Sequence, residues 1–173
     1  MVRIISILIE VWKKKFILTD KFVINSFGIK LFQIKCTKSF KYAQKGDFGG
    51  YVEKEGNLDQ ENDAWVSGDA RVFGNARVSG DAWVSGNAWV SGDADIENDN
   101  EHCGFDGFGS CNRHTHAYMT KEKKVEIICG CFRGSIEEFE KKVEETHSGT
   151  VYEKQYKSII NVIKIKFGLT DFT

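Results

Sequence analysis

Five potential metal-ligating side chains lie close together between residues 102 and 116, namely His102, Cys103, Cys111, His114 and His116. Imidazole and thiolate groups are the usual ligands of zinc, and alternate residues of a strand point to the same side. The spacing from Cys103 to Cys111 is not that of a known zinc site, and the chain has no CxxC motif. We therefore predict neither a metal nor a cofactor. The alternative is a zinc site built from His102, Cys103, His114 and His116.

The other reactive side chains do not form a catalytic group in the sequence. Cys129 and Cys131 flank a single glycine, which places both thiols on one face of a strand, where thiols usually fill a core. His147 stands at the end of a predicted helix, where a histidine complements the helix dipole. No catalytic residue is predicted.

A six-residue repeat in the middle of the chain is the main structural element that could position functional side chains. Six units follow one another from Trp65: WVSGDA, RVFGNA, RVSGDA, WVSGNA, WVSGDA and DIENDN. The second position is always aliphatic, the sixth is Ala in the first five units, and the Gly-Asp or Gly-Asn just before this Ala tolerates the left-handed backbone of a tight corner. Short strands with one inward β-branched residue predict triangular coils of three units, stacked through parallel ladders.

This pattern resembles the hexapeptide-repeat left-handed β-helix family, which residues 66–71 match position by position. The resemblance implies a short left-handed parallel β-helix. Weaker units extend it over residues 50–103, or about three coils. So few coils need caps at their open ends.

The flanking segments are predicted to cap the β-helix. A hairpin turning at residues 19–21 and a strand over 29–37 precede it. Paired strands over 114–119 and 124–131 follow, and then two helices, over residues 135–146 and 152–166. The predicted fold is mainly β, with N-terminal strands (1–45), the β-helix (46–103) and an α+β C-terminal cap (104–173).

The N-terminal apolar segment, residues 1–12, is predicted to be a strand or a helix. It is too short to span a bilayer and has no signal-peptide pattern, so we expect a cytoplasmic protein without a membrane partner. Residues 1–45 carry a net charge of +8 and residues 46–101 a net charge of −10. Because no compact basic patch with interleaved aromatic residues is evident, nucleic acid is not the expected partner.

Outward positions of the coils carry aromatic and charged side chains. Residues eighteen apart stack on one face, and Trp and Arg are enriched at binding hot spots. The predicted binding surface consists of Trp65, Trp83, Arg71, Trp89, Arg77 and Asp95. Two alternatives remain open. Either the N-terminal strands cover these residues, or these residues form the interface between copies of the chain in a dimer or trimer.

The chain as a whole resembles a group of uncharacterised proteins found mostly in phages and mobile elements. The resemblance rests on residues 45–53, on the Gly-Ser-Cys-Asn segment at 109–112 with Thr115, and on residues 129–139 together with 145–147. That group is expected to have Arg where this chain has Cys111. The resemblance implies a fold and a viral origin and brings no established chemistry. The predicted pocket consists of four residues in these segments: Cys111, Asn112, Thr115 and His147.

The predicted function is that of a non-catalytic binding or interaction protein of phage or mobile-element type, acting in the host cytoplasm. Its concrete form is a host-defence inhibitor, either anti-CRISPR or anti-signalling, that binds a host protein or a small nucleotide. One alternative is an acyltransferase-like hexapeptide-repeat enzyme, although the repeat holds no histidine before His102. The other is a structural module that makes a homo-oligomer.

Overall fold

The computed structural model describes residues 14–170, so the prediction for residues 1–12 lies outside the described part of the chain. The described chain is mainly β and ends in a pair of helices. The strands are β1 (Phe16–Ile24), β2 (Lys30–Cys36), β3 (Phe48–Val52), β4 (Trp65–Val66), β5 (Arg71–Val72), β6 (Arg77–Val78), β7 (Trp83–Val84), β8 (Trp89–Val90), β9 (Asp95–Ile96), β10 (His102–Phe108), β11 (Arg113–Met119), β12 (Val125–Cys129) and β13 (Phe132–Ser135). The helices are α1 (Ile136–His147) and α2 (Val151–Lys166).

The six-residue units form a β-solenoid repeat. Strands β4, β5 and β6 pair in parallel with β7, β8 and β9, and every pair joins residues eighteen apart, as in Trp65 opposite Trp83. The inward aliphatic side chains are fully buried: Val66, Val72, Val78, Val84, Val90 and Ile96. The corner glycines have φ between +62° and +70°, the region that glycine adopts without strain. The predicted repeat and its ladder register are therefore confirmed.

The segment before Trp65 departs from the predicted register. Val52 pairs with Val72, and Leu58 forms a bridge with Val78, so these partners are twenty residues apart instead of eighteen. Val52 and Leu58 are buried in the core, in the places that the hexad pattern assigns to Lys54 and Gln60. The extra residues are accommodated because Asn57 donates two side-chain hydrogen bonds to main-chain oxygens of the next coil.

The N-terminal strands extend one wall of the solenoid. Strand β3 pairs with β2 in antiparallel fashion and with β5 in parallel, which gives a sheet of order β1-β2-β3-β5-β8. The predicted turn at residues 19–21 is wrong, because β1 continues through it with a register irregularity. The chain turns instead after β1, where the Asn25 side chain accepts hydrogen bonds from the backbone N–H groups of Phe27 and Ile29.

The C-terminal unit is an antiparallel sheet of order β10-β11-β12-β13 against which α1 and α2 pack. Both helices and the pairing of β11 with β12 were predicted correctly. Strand β10 was missed, and it takes His102 and Cys103 out of the repeat and into this sheet. Among residues 14–170, no helix is long and apolar enough to cross a membrane.

Helix α1 begins with a capping box, which stabilises its first turn. The Ser135 hydroxyl accepts a hydrogen bond from the backbone N–H of Glu138, whose carboxylate accepts one from the backbone N–H of Ser135. Ser135→Ala is expected to lower the free energy of unfolding by about 1 kcal/mol, measured by urea denaturation. Ser158→Ala is the control, because Ser158 is exposed within α2. Equal stabilities for the two variants would contradict the capping role.

Candidate functional site

The predicted binding surface on the solenoid is only partly accessible. Trp65 is 2% exposed, because Phe40 packs edge-on against its ring with 5.3 Å between ring centroids. Trp65 is therefore not part of an accessible binding surface, and for this residue the alternative holds in which the N-terminal segment covers it. Trp83 is 45% exposed, stacks on Tyr42 at 5.4 Å, and donates an indole hydrogen bond to the Ser67 hydroxyl.

The remaining members of that predicted surface lie on two other walls. The Arg71 guanidinium lies 5.1 Å above the half-buried Trp89 ring, whose edge meets Phe27 and Phe73. Arg77 is exposed and stands opposite the half-buried Asp95 in the ladder. The six residues thus occupy three walls, since hexads that follow one another face different directions.

Three of the predicted histidines meet where the C-terminal sheet touches the solenoid. His116 is 1% exposed; its Nδ1 donates to the Trp89 carbonyl at 3.0 Å, and its Nε2 lies 3.2 Å from Nδ1 of His102. Burial lowers the pKa of His116 to about 3. His114 is hydrogen-bonded at 2.7 Å to Asp106, and this bond holds the pKa of the carboxyl below its usual range.

The alternative zinc site is not formed by these side chains. Within the described residues, no group of three or more His, Cys, Asp or Glu side chains is placed to hold a metal ion. His116 uses both ring nitrogens in hydrogen bonds, and burial raises the pKa of the Cys103 thiol to about 11, which disfavours the thiolate. The three histidines therefore form part of the junction between the two units, with His116 buried at its centre.

A pocket of about 300 Å³ opens at the tip of the C-terminal sheet, between its turns and helix α1; we call it the cap pocket. Two of the four predicted pocket residues, Cys111 and His147, line it. Thr115 lies fully buried, and its hydroxyl donates to the Cys129 thiol at 3.3 Å. Asn112 holds the turn between β10 and β11 with a φ of 47° and does not line the pocket.

Strand register brings distant parts of the chain to this pocket. Thr115 pairs with Cys129, so the start of β11 and the turn after β12 lie at the same end of the sheet. Gly109, in the preceding turn, donates its backbone N–H to the Gln155 side chain of α2. A Cβ atom at Gly109 would overlap the hydroxyl of Tyr156, so the close approach of turn and helix requires glycine there.

The electrostatics of the cap pocket favour an anion. Among residues 14–170, no acidic side chain lines it. Arg113 lines it without an ion-pair partner among residues 14–170, while Lys142 has a long, exposed pair of 3.5 Å with Glu145. Such exposed pairs are weak, about 0–1 kcal/mol, so Lys142 is available to a ligand.

The inner wall of the cap pocket is aromatic. The His147 ring stacks on Tyr156 at 5.5 Å with 28° between the planes, and Phe132 and Phe139 complete the wall. Burial raises the pKa of Tyr156, so its hydroxyl stays neutral and can donate a hydrogen bond. A flat ring with an attached anionic group would match this combination of aromatic wall and cationic rim.

Three residues of the cap pocket are not among those predicted from the sequence: Arg113, Lys142 and Tyr156. Arg113 lies inside the stretch that includes Cys111 and Thr115, and could have been noticed there. Lys142 and Tyr156 occupy ordinary helical positions, and only the packing of the helices against the sheet brings them to the pocket.

Comparison with known proteins concerns the repeat. The family model described as the YdcK beta solenoid repeat matches residues 64–80, 70–86 and 76–92. Neither the comparison with curated proteins nor that with solved structures found a match. The matched windows contain none of the residues that line the cap pocket. The repeat segment is therefore similar to YdcK beta solenoid repeats, and the candidate site lies in the unit that follows it.

Proposed function

We propose that the chain is a non-catalytic binding protein whose cap pocket holds a small anionic ligand with a planar ring, of the nucleotide type. The observation that carries the proposal is a pocket that has Arg113 and Lys142 among its lining residues, the stacked pair His147 and Tyr156 on its wall, and no acidic lining residue within the described part of the chain. Arginine binds phosphate through a fork of N–H donors, and aromatic rings stack on bases.

The solenoid serves in this proposal as the rigid platform that carries the cap pocket. Its finer architecture is a left-handed β-helix of about three coils, which the six-residue period, the eighteen-residue ladders and the recurring left-handed corners support. The N-terminal strands and the C-terminal unit then cover its ends, where unpaired strands would invite contacts with other chains.

The biological setting follows from the resemblance to phage and mobile-element proteins. In that setting the chain acts in the cytoplasm of the host as a host-defence inhibitor that sequesters a nucleotide signal. A concave pocket with a cationic rim favours a small ligand over a host protein as the partner, because protein interfaces are larger and flatter.

Isothermal titration calorimetry of the full chain with the four ribonucleoside 5′-monophosphates tests this function. At least one should bind, and Arg113→Gln should weaken it about tenfold, the loss expected for one charge-assisted hydrogen bond of about 1.4 kcal/mol. The matched control is Lys141→Gln, which removes a positive charge beside Lys142 but outside the cap pocket.

Two results would contradict the proposed function. One is the absence of binding by every mononucleotide, and by the dinucleotides considered below, at about 1 mM, the concentration that detects a weak ligand. The other is equal weakening by Arg113→Gln and Lys141→Gln, which would mean that net charge and not the pocket attracts the nucleotide.

A further inference from the structure

We propose that the cap pocket is one half of a bipartite cleft and that the ligand is a dinucleotide, in which a phosphate bridge joins two nucleosides. This inference rests on the proposed function and specifies its ligand class. In this arrangement one base lies against His147 and Tyr156, and the other lies in a second cleft beside the solenoid. The bridging phosphate binds Arg113.

The second cleft has a volume of about 380 Å³ and opens where three parts of the chain meet. Ser26 comes from the loop after β1, Asn87 and Trp89 come from the solenoid, and His114 and Ile128 come from the C-terminal sheet. Arg113 and Cys131 line both this cleft and the cap pocket. The cap pocket lies on the face of the C-terminal sheet that packs against the helices, and the second cleft lies on the face that packs against the solenoid; the two spaces share Arg113 and Cys131 at the end of the sheet.

Arg113 is held at the boundary by its own turn and strand. It is the first residue of β11, and its side chain lies over Gly130, where a Cβ atom would overlap the guanidinium. Gly130 has a φ of +61°, so glycine allows both the turn and the close approach. Arg113 consequently lines both spaces, and among residues 14–170 it forms no ion pair with a carboxylate.

The walls of the second cleft suit a second base better than a second phosphate. Trp89 and Ile128 supply apolar surface, while Ser26, Asn87 and His114 supply hydrogen-bonding groups. Apart from the shared Arg113, no Lys or Arg of the described residues lines this cleft. A cleft lined by aromatic and amide groups, without further cations, suits a heterocyclic base that is recognised by hydrogen bonds to its edge.

Volume also favours a ligand with two parts. Ligand sites usually measure about 300–1,000 Å³, and each space alone lies near the lower limit of that range. Together the two spaces fall well inside it. A mononucleotide would leave one of them empty.

Calorimetry with the full chain tests the inference by comparing linear ribodinucleotides with the mononucleotides from which they are built. At least one dinucleotide should bind at least about tenfold more tightly than either of its mononucleotides, because linking two binding groups raises the effective concentration of the second. Asn87→Ala and Ser26→Tyr, which alter only the second cleft, should remove most of this advantage and leave mononucleotide binding unchanged.

Asn75→Ala is the matched control, since Asn75 occupies the same corner position as Asn87 two units earlier and lines neither space. If mononucleotides bind in an Arg113-dependent way but no dinucleotide exceeds them by more than about threefold, the bipartite cleft is wrong and the proposed function stands. If dinucleotides bind more tightly but Asn87→Ala, Ser26→Tyr and Asn75→Ala leave the advantage intact, the second base lies elsewhere and the inference is also wrong.

Discussion

Val84→Asp is expected to abolish cooperative folding of the chain. Val84 is fully buried inside the solenoid and pairs with Val66 in the parallel ladder. The aspartate side chain would have no hydrogen-bond partner there. Burying it costs several kcal/mol, whether it stays charged or takes up a proton and becomes a neutral but unpaired polar group. That cost is comparable with the whole stability of a typical domain, about 5–15 kcal/mol. Circular dichroism during heating should show no sharp transition, or one that is lower by more than about 15 °C.

Ser85→Asp is the control for this prediction, because Ser85 follows Val84 directly and is exposed. It adds the same charge to the same coil and should change the free energy of unfolding by less than about 0.5 kcal/mol. A Val84→Asp variant that melts like the Ser85→Asp variant would mean that the aliphatic position does not point into a packed core.

The chain is also expected to lose stability as the pH falls below about 6.5, because of His116. The folded state lowers the pKa of His116 from 6.5 to about 3 through burial, and it lowers that of His102 for the same reason. Between these values the unfolded chain binds a proton that the folded chain does not. A group of this kind favours unfolding by about 1.4 kcal/mol for each pH unit below 6.5. The loss should reach about 2 kcal/mol by pH 5.

Urea denaturation at pH 7, 6 and 5 measures this effect in a range where carboxylates contribute little. His116→Gln should be less stable than the parent at pH 7 but should lose less stability between pH 7 and 5. His147→Gln is the matched control and should keep the pH dependence of the parent, since His147 lies outside the buried junction. A parent chain whose stability is constant from pH 7 to 5 would contradict the prediction.

The solenoid is the part of the fold that the sequence determines most directly. Each unit repeats one inward aliphatic residue, one small residue and one glycine corner, so the period is local and a ladder eighteen residues apart follows from it. The helices were predictable for a similar reason, because the capping box at Ser135 and the buried stripe of α2 depend on residues three or four apart.

Predictions failed where distant partners override local preference. Val52 and Leu58 enter the core because burying two aliphatic side chains outweighs keeping the six-residue register. The Thr19 turn does not form because strand pairing with β2 continues through it. Trp65 is buried because Phe40, in the loop between β2 and β3, packs against its ring.

The sequence by itself determined a β-solenoid repeat followed by strands and two helices, the first of them with a capping box, and it placed Cys111 and His147 among the candidate pocket residues. Only the tertiary structure decided that Arg113 and Tyr156, 43 residues apart, line one pocket, and that Arg113 also borders a cleft against the solenoid. The physical reason is that a repeat or a helix cap depends on neighbours in the chain. A pocket, by contrast, depends on how separate elements pack, through contacts that leave no period in the sequence.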